Sequence, residues 1–203
     1  MTLTRSKLKK VKKKSAAQRL WFLHWLMAFF YLLLFIGGKY MAGLPESLSY
    51  RETIFDSHKT LGVVVMSLLL ARISLLLWVV LYKYRRHQPK RRRGWLQTVA
   101  IHAILYFFML LVPLSGYFDS NIGAHDIRIF GTGIILPPLF APNEQLEISG
   151  FADSVHFWIS YTFLAFVVVH ALDQKKYLRA QLRRFSKATM AAIHKYFPRT
   201  KIG

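Results

Sequence analysis

The chain contains no cysteine. That absence removes disulfide scaffolds, thiolate metal sites, iron–sulfur clusters and covalent c-type haem attachment, so any metal chemistry rests on histidine or carboxylate. Acidic residues are scarce as well, 9 Asp and Glu against 29 Lys and Arg in 203 residues, for a formal net charge of +20. A chain so unbalanced, yet 54% hydrophobic and 15% aromatic, is neither an ordinary soluble domain nor a disordered one, and its apolar mass and its charge must be segregated. The length suits one domain, or one compact bundle with tails.

Charge is missing in long runs. Nineteen uncharged positions separate Arg19 from Lys39, 25 separate Arg93 from Asp119, and 19 separate Asp153 from Asp173; a fourth run, Lys59 to Lys83, is broken only by Arg72. A hydrocarbon core of about 30 Å needs about 20 residues at 1.5 Å each. WLMAFFYLLLFIGG and HAILYFFMLLVPLSG are apolar all the way round, and they are too long and unalternating for barrel strands. The expected fold is therefore an all-α membrane protein, a four-transmembrane-helix bundle with helices at about 21–38, 58–82, 95–118 and 154–172. Residues 19–180 form the bundle in this reading, with an outer loop over 119–153 and basic tails over 1–18 and 181–203. The basic front end also suits a signal peptide, but the apolar run is too long and no A-x-A-like site precedes Lys39, so the first span is read as retained.

Three basic intervals set the orientation. Residues 1–19 carry eight Lys and Arg, 83–93 carry seven, and 173–203 carry nine with one acid, whereas 39–59 and 119–153 together hold four basic and eight acidic residues. The positive-inside rule then puts both termini and the 83–93 loop of this integral, multi-pass protein in the cytoplasm. KLKKVKKK and KRRR adjoin predicted spans and have no nucleic-acid module around them. Attraction to anionic lipid accounts for them, and no nucleic-acid partner is expected. The 119–153 interval, rich in Gly, Pro and apolar residues, is long enough to fold back over the mouth of the bundle, or to serve as a connector partly sunk in the interface.

Ionisable groups inside a membrane are expensive, so the histidines need an account. His24 and His170 fall toward the inner ends of helices one and four, and His58 and His156 toward the outer ends of helices two and four. Fourteen residues separate His156 from His170, which is 40° short of four turns and a rise of about 21 Å, so both rings leave one face. The same interval separates His58 from Arg72, bringing the arginine to the inner depth. Two histidines at each of two depths suit two haem b groups, flat apolar discs whose iron takes an imidazole on each face and whose propionates want cationic partners such as Arg72. Each histidine also has a plainer reading as a hydrogen-bonded interior residue. A proton relay would not need the pairing, and a divalent metal site would gather three or four ligands at one depth. His102, on helix three, reaches the inner depth. It is read as a supporting residue beside the inner ligands that meets a propionate or guards a quinone pocket, with replacement of His24 as the alternative. His87, His125 and His194 read as surface residues. Pro113 is expected to kink helix three and Gly116 to permit close packing.

HKTLGVVVMSLLLAR from His58 to Arg72 resembles the second-helix signature of the bacterial cytochrome b561 family, small di-haem membrane cytochromes related to hydrogenase b-type subunits. LHW at 23–25, HAILYFFMLLVPLSG at 102–116, FGTGIILPPLFAPNE in the outer loop and VHFWISYTFLAFVVVH at 155–170 match as well. The resemblance covers residues 18–180 and implies that His24 and His170 ligate the inner haem iron while His58 and His156 ligate the outer one. It also implies electron exchange with quinone and, for some members, oxidation of superoxide at the outer surface. The acidic outer balance would repel that anion unless Lys59 and Arg128 make a local positive patch.

The functional expectation is a quinone-linked oxidoreductase that moves single electrons between quinone and a donor or acceptor at the outer surface, superoxide among them. A haem-bearing anchor for a larger oxidoreductase and a haem-free transporter or assembly factor are the alternatives. Assembly as a homo-oligomer is open.

Overall fold

The computed structural model describes residues 15–83, 85, 94–129, 131–138 and 149–196. Four long helices, α1 (Ala16–Met41), α2 (Arg51–Lys83), α3 (Trp95–Ile122) and α4 (Ser149–Asp173), are each long and apolar enough to cross a membrane. A two-stranded antiparallel hairpin, β1 (Ile127–Arg128) and β2 (Ile135–Leu136), lies between α3 and α4, and a fifth helix, α5 (Lys175–Tyr196), follows α4 almost without a break. The protein is an integral, multi-pass, all-α membrane protein. The basic stretches 1–14 and 86–93, His87 and part of the outer loop lie outside the described residues.

The helices outrun the uncharged stretches of the sequence. α2 starts at Arg51 rather than near 58, α3 continues to Ile122, and α4 starts at Ser149. Glu52, Asp56 and Lys59 all lie inside α2. A helix leaving lipid keeps its backbone bonds through the headgroup layer, so charge marks the end of the hydrocarbon and not the end of the helix. At the opposite boundary Ser15 caps α1: its hydroxyl accepts from the Gln18 amide at 3.3 Å, while Gln18 Oε1 accepts from the Ser15 amide at 2.9 Å. This reciprocal box satisfies donors that the first turn would otherwise orphan. The segment read from sequence as the start of the C-terminal tail is helical, because charged residues there alternate with apolar ones at helical spacing.

Close backbone packing runs from α1 to α2, α2 to α3 and α3 to α4. α1 meets α4 through rings: Tyr31 lies 5.0 Å from Phe163 and Phe35 5.2 Å from Tyr161, centroid to centroid. Met27, Val65 and Leu69 are the large side chains with essentially no exposure among the described residues. Phe22, Phe29, Leu32, Ile36, Leu70, Trp78, Leu96, Phe107, Trp158 and Leu172 are more than half exposed. Such an apolar exterior is what lipid requires. The outer mouth is roofed by the hairpin. Lys59 Nζ donates to the Asp126 carbonyl at 3.1 Å, Thr60 Oγ1 donates to the Arg128 carbonyl at 3.1 Å, and the Tyr117 hydroxyl donates to the Pro137 carbonyl.

Candidate functional site

A step of seven residues advances a helix by about 10 Å and returns to nearly the same face. All four spans repeat it: His24, Tyr31 and Gly38 on α1; His58, Val65 and Arg72 on α2; His102, Met109 and Gly116 on α3; His156, Phe163 and His170 on α4. Because the helices alternate in direction, these twelve positions form three tiers. The inner tier holds His24, Arg72, His102 and His170; the middle tier Tyr31, Val65, Met109 and Phe163; the outer tier Gly38, His58, Gly116 and His156.

In the inner tier the His24 and His170 rings lie 6.4 Å apart, and those of His102 and His170 lie 5.1 Å apart. His102 Nδ1 sits 2.7 Å from the Thr98 carbonyl. A carbonyl only accepts, so Nδ1 carries the proton and Nε2 keeps its lone pair. Arg72 Nε donates to the Tyr106 hydroxyl at 2.8 Å and Nη1 donates to the Leu20 carbonyl at 2.9 Å, so the guanidinium ties α2 to α1 and α3.

The outer tier is built from contrast. Gly38 and Gly116 stand opposite His58 and His156. A Cβ on Gly38 would lie 3.2 Å from His58 Cε1, and one on Gly116 would lie 3.0 Å from His156 Cε1. Glycine at these positions lets each ring lie against a neighbouring backbone. Ser115 donates to the Val112 carbonyl at 2.8 Å, and its oxygen lies 2.9 Å from His156 Nδ1. With its own hydrogen committed, Ser115 accepts from Nδ1–H and leaves Nε2 of His156 as the free lone pair.

The middle tier separates the other two. Pro113 lies inside α3 and has no N–H, so the Met109 carbonyl loses its usual partner four residues on. The Tyr31 hydroxyl supplies the missing donor at 2.5 Å. An unpaired carbonyl in lipid is costly, and α1 repairs here what proline removes from α3.

Two features bear on whether haem fits. Among the described residues His58 Nδ1 and His170 Nδ1 are buried without a hydrogen-bonding partner, so the protein leaves one ring nitrogen of each unmet. A metal between two imidazoles, each bonded at about 2 Å, sets their ring centres roughly 6 Å apart. The His24–His170 separation of 6.4 Å agrees, and the His102–His170 separation of 5.1 Å is too short. Among the described residues no three His, Asp or Glu converge as a ligand cluster, so the bundle offers imidazole pairs. The residues present fit bis-imidazole haem.

All six residues singled out from sequence, His24, His58, Arg72, His102, His156 and His170, fall in the inner and outer tiers. His125 lies just beyond α3, outside the tiers, against Gly123. Sequence reasoning passed over Gly38, Tyr31, Ser115 and Phe163. The signal for three of these was present, since the fourteen-residue interval noticed on α2 and α4 also relates His24 to Gly38, with Tyr31 and Phe163 at half steps.

The family profile described as prokaryotic cytochrome b561 matches residues 17–177. The chain is also 26% identical over 158 residues to cytochrome b561 homolog 2 of Escherichia coli (strain K12), a match spanning 76% of this chain and 79% of that protein.

Proposed function

This chain belongs to the prokaryotic cytochrome b561 family, as a b-type, haem-binding membrane cytochrome of electron transfer, and from that premise we propose a di-haem protein linking membrane quinone to an outer-surface partner. His24 and His170 would hold the inner haem, and His58 and His156 the outer one. The observation that carries this reading is the tiering: His24 and His170, on different helices, meet at one depth, His58 and His156 lie at the other, each against a glycine of a neighbouring helix, and Tyr31 and Phe163 lie between. Haem supplies one-electron redox chemistry when bound.

The chain's own residues do the rest. Ser115 fixes the tautomer of His156, and Gly38 and Gly116 give the outer rings room. Arg72 offers the inner tier a cation whose reach is set by Tyr106 and the Leu20 carbonyl. The apolar outer faces of the spans keep water from the interior, which favours electron transfer over proton leakage. At the outer rim, Arg128 pairs with Asp126 at 3.3 Å and Lys59 is surrounded by Asp56, Asp119 and Asp126. This rim is a poor attractor for a small anion such as superoxide, and favours quinone, or a neutral or cationic carrier, as the outer partner. The orientation that goes with the proposal has both termini in the cytoplasm, in a bacterial inner membrane.

The test is haem stoichiometry. Pyridine extraction of the parent should give two haem b per chain, and His58→Ala or His156→Ala should each give one, with the inner spectrum retained. A parent holding a single haem would refute the assignment, as would loss of both haems from either variant with helicity intact.

A further inference from the structure

α5 begins two residues after α4 ends, so it starts at the membrane boundary. At 100° per residue its positions sort into three faces. Leu178, Leu182, Phe185 and Ile193 fall within about 80° of one another, and Lys176, Arg179, Arg183 and Lys187 fill the next 80° or so. Tyr177, Gln181 and Arg184 make the third face. That third face meets α1: Trp21 Nε1 donates to the Tyr177 hydroxyl at 2.9 Å, and Gln18, Trp21, Phe22, Tyr177, Gln181 and Arg184 line one groove. On the apolar face Leu178 is part-buried, while Leu182 is 60%, Phe185 74% and Ile193 50% exposed among the described residues.

We propose that α5 is an interfacial helix that lies along the membrane surface and binds anionic phospholipid, its apolar face among the acyl chains, its basic face on the headgroups, and Arg184 at the groove against α1. Three observations carry this. The helix is tethered to a membrane-spanning segment, so its exposed leucine and phenylalanine start within reach of the same bilayer. Its polar face is basic, the complement of an anionic leaflet. Trp21 and Tyr177, half-exposed aromatics with polar tips joined to each other, hold it at the depth where such residues are favoured. The inference is independent of how many haems the bundle holds.

Because the chain has no cysteine, single probes can be placed in the full-length protein. Phe185→Cys and Arg183→Cys, each carrying an environment-sensitive fluorophore, would be reconstituted into vesicles of phosphatidylcholine alone or with phosphatidylglycerol. The probe at 185 should emit blue-shifted and be quenched by acyl-chain quenchers, more strongly with phosphatidylglycerol, while the probe at 183 stays open to aqueous quenchers. Replacing Arg179, Arg183 and Lys187 by glutamine should erase the difference between the two lipids, each charge being worth about a fivefold preference. Equal aqueous quenching at both positions in both lipids would overturn the proposal. A dry probe at 185 that lipid quenchers do not reach, together with chain-to-chain crosslinking there, would also overturn it and assign the face to a second copy.

Discussion

Ser115 shows how much of the outer tier depends on one hydroxyl. It decides which nitrogen of His156 is protonated, and so which is available to a metal. Ser115→Ala should keep the fold and lose that control. We expect roughly tenfold weaker retention of one haem, measured as faster transfer to a haem-scavenging apoprotein, with Ser115→Thr near the parent. At this scale the sequence was legible where a residue is costly. Five histidines and an arginine inside apolar spans need reasons, and all six lie in two tiers. It was illegible where a residue is cheap. Serine is common in membrane helices, and only contact with His156 distinguishes Ser115 from its neighbours, whereas Gly116 was legible as a packing position and Gly38 through its fourteen-residue interval from His24.

Between elements, the link of α1 to α3 through Tyr31 follows from proline chemistry. Tyr31→Phe keeps the ring against Phe163 and leaves the Met109 carbonyl unpaired. The cost should be about 1 kcal/mol, read from thermal unfolding in detergent. In a Pro113→Ala background α3 regains the missing N–H, and the cost of Tyr31→Phe should fall close to zero. An unchanged cost would mean that the hydroxyl serves something else. The four spans were visible as uncharged runs, but their ends were not. A run stops at the first charge, whereas α2 carries Glu52, Asp56 and Lys59 in regular helix. α5 was missed for the opposite reason: its apolar positions are diluted by cations until only their spacing betrays a helix.

For the whole molecule, an apolar belt around a thin core makes lipid the outer half of the packing, and the proposed direction of the bundle rests on its basic ends. A membrane-impermeant maleimide added to intact cells should label Ser47→Cys, in the exposed turn between α1 and α2, and should reach Lys176→Cys only after permeabilisation. The reverse pattern would invert the molecule and exchange the inner and outer tiers. The seven-residue step has a further consequence. One residue inserted between Tyr31 and Gly38 would swing everything beyond it by about 100° and turn Gly38 away from His58. The spacing between tiers can therefore grow only in whole repeats, in jumps of about 10 Å rather than continuously.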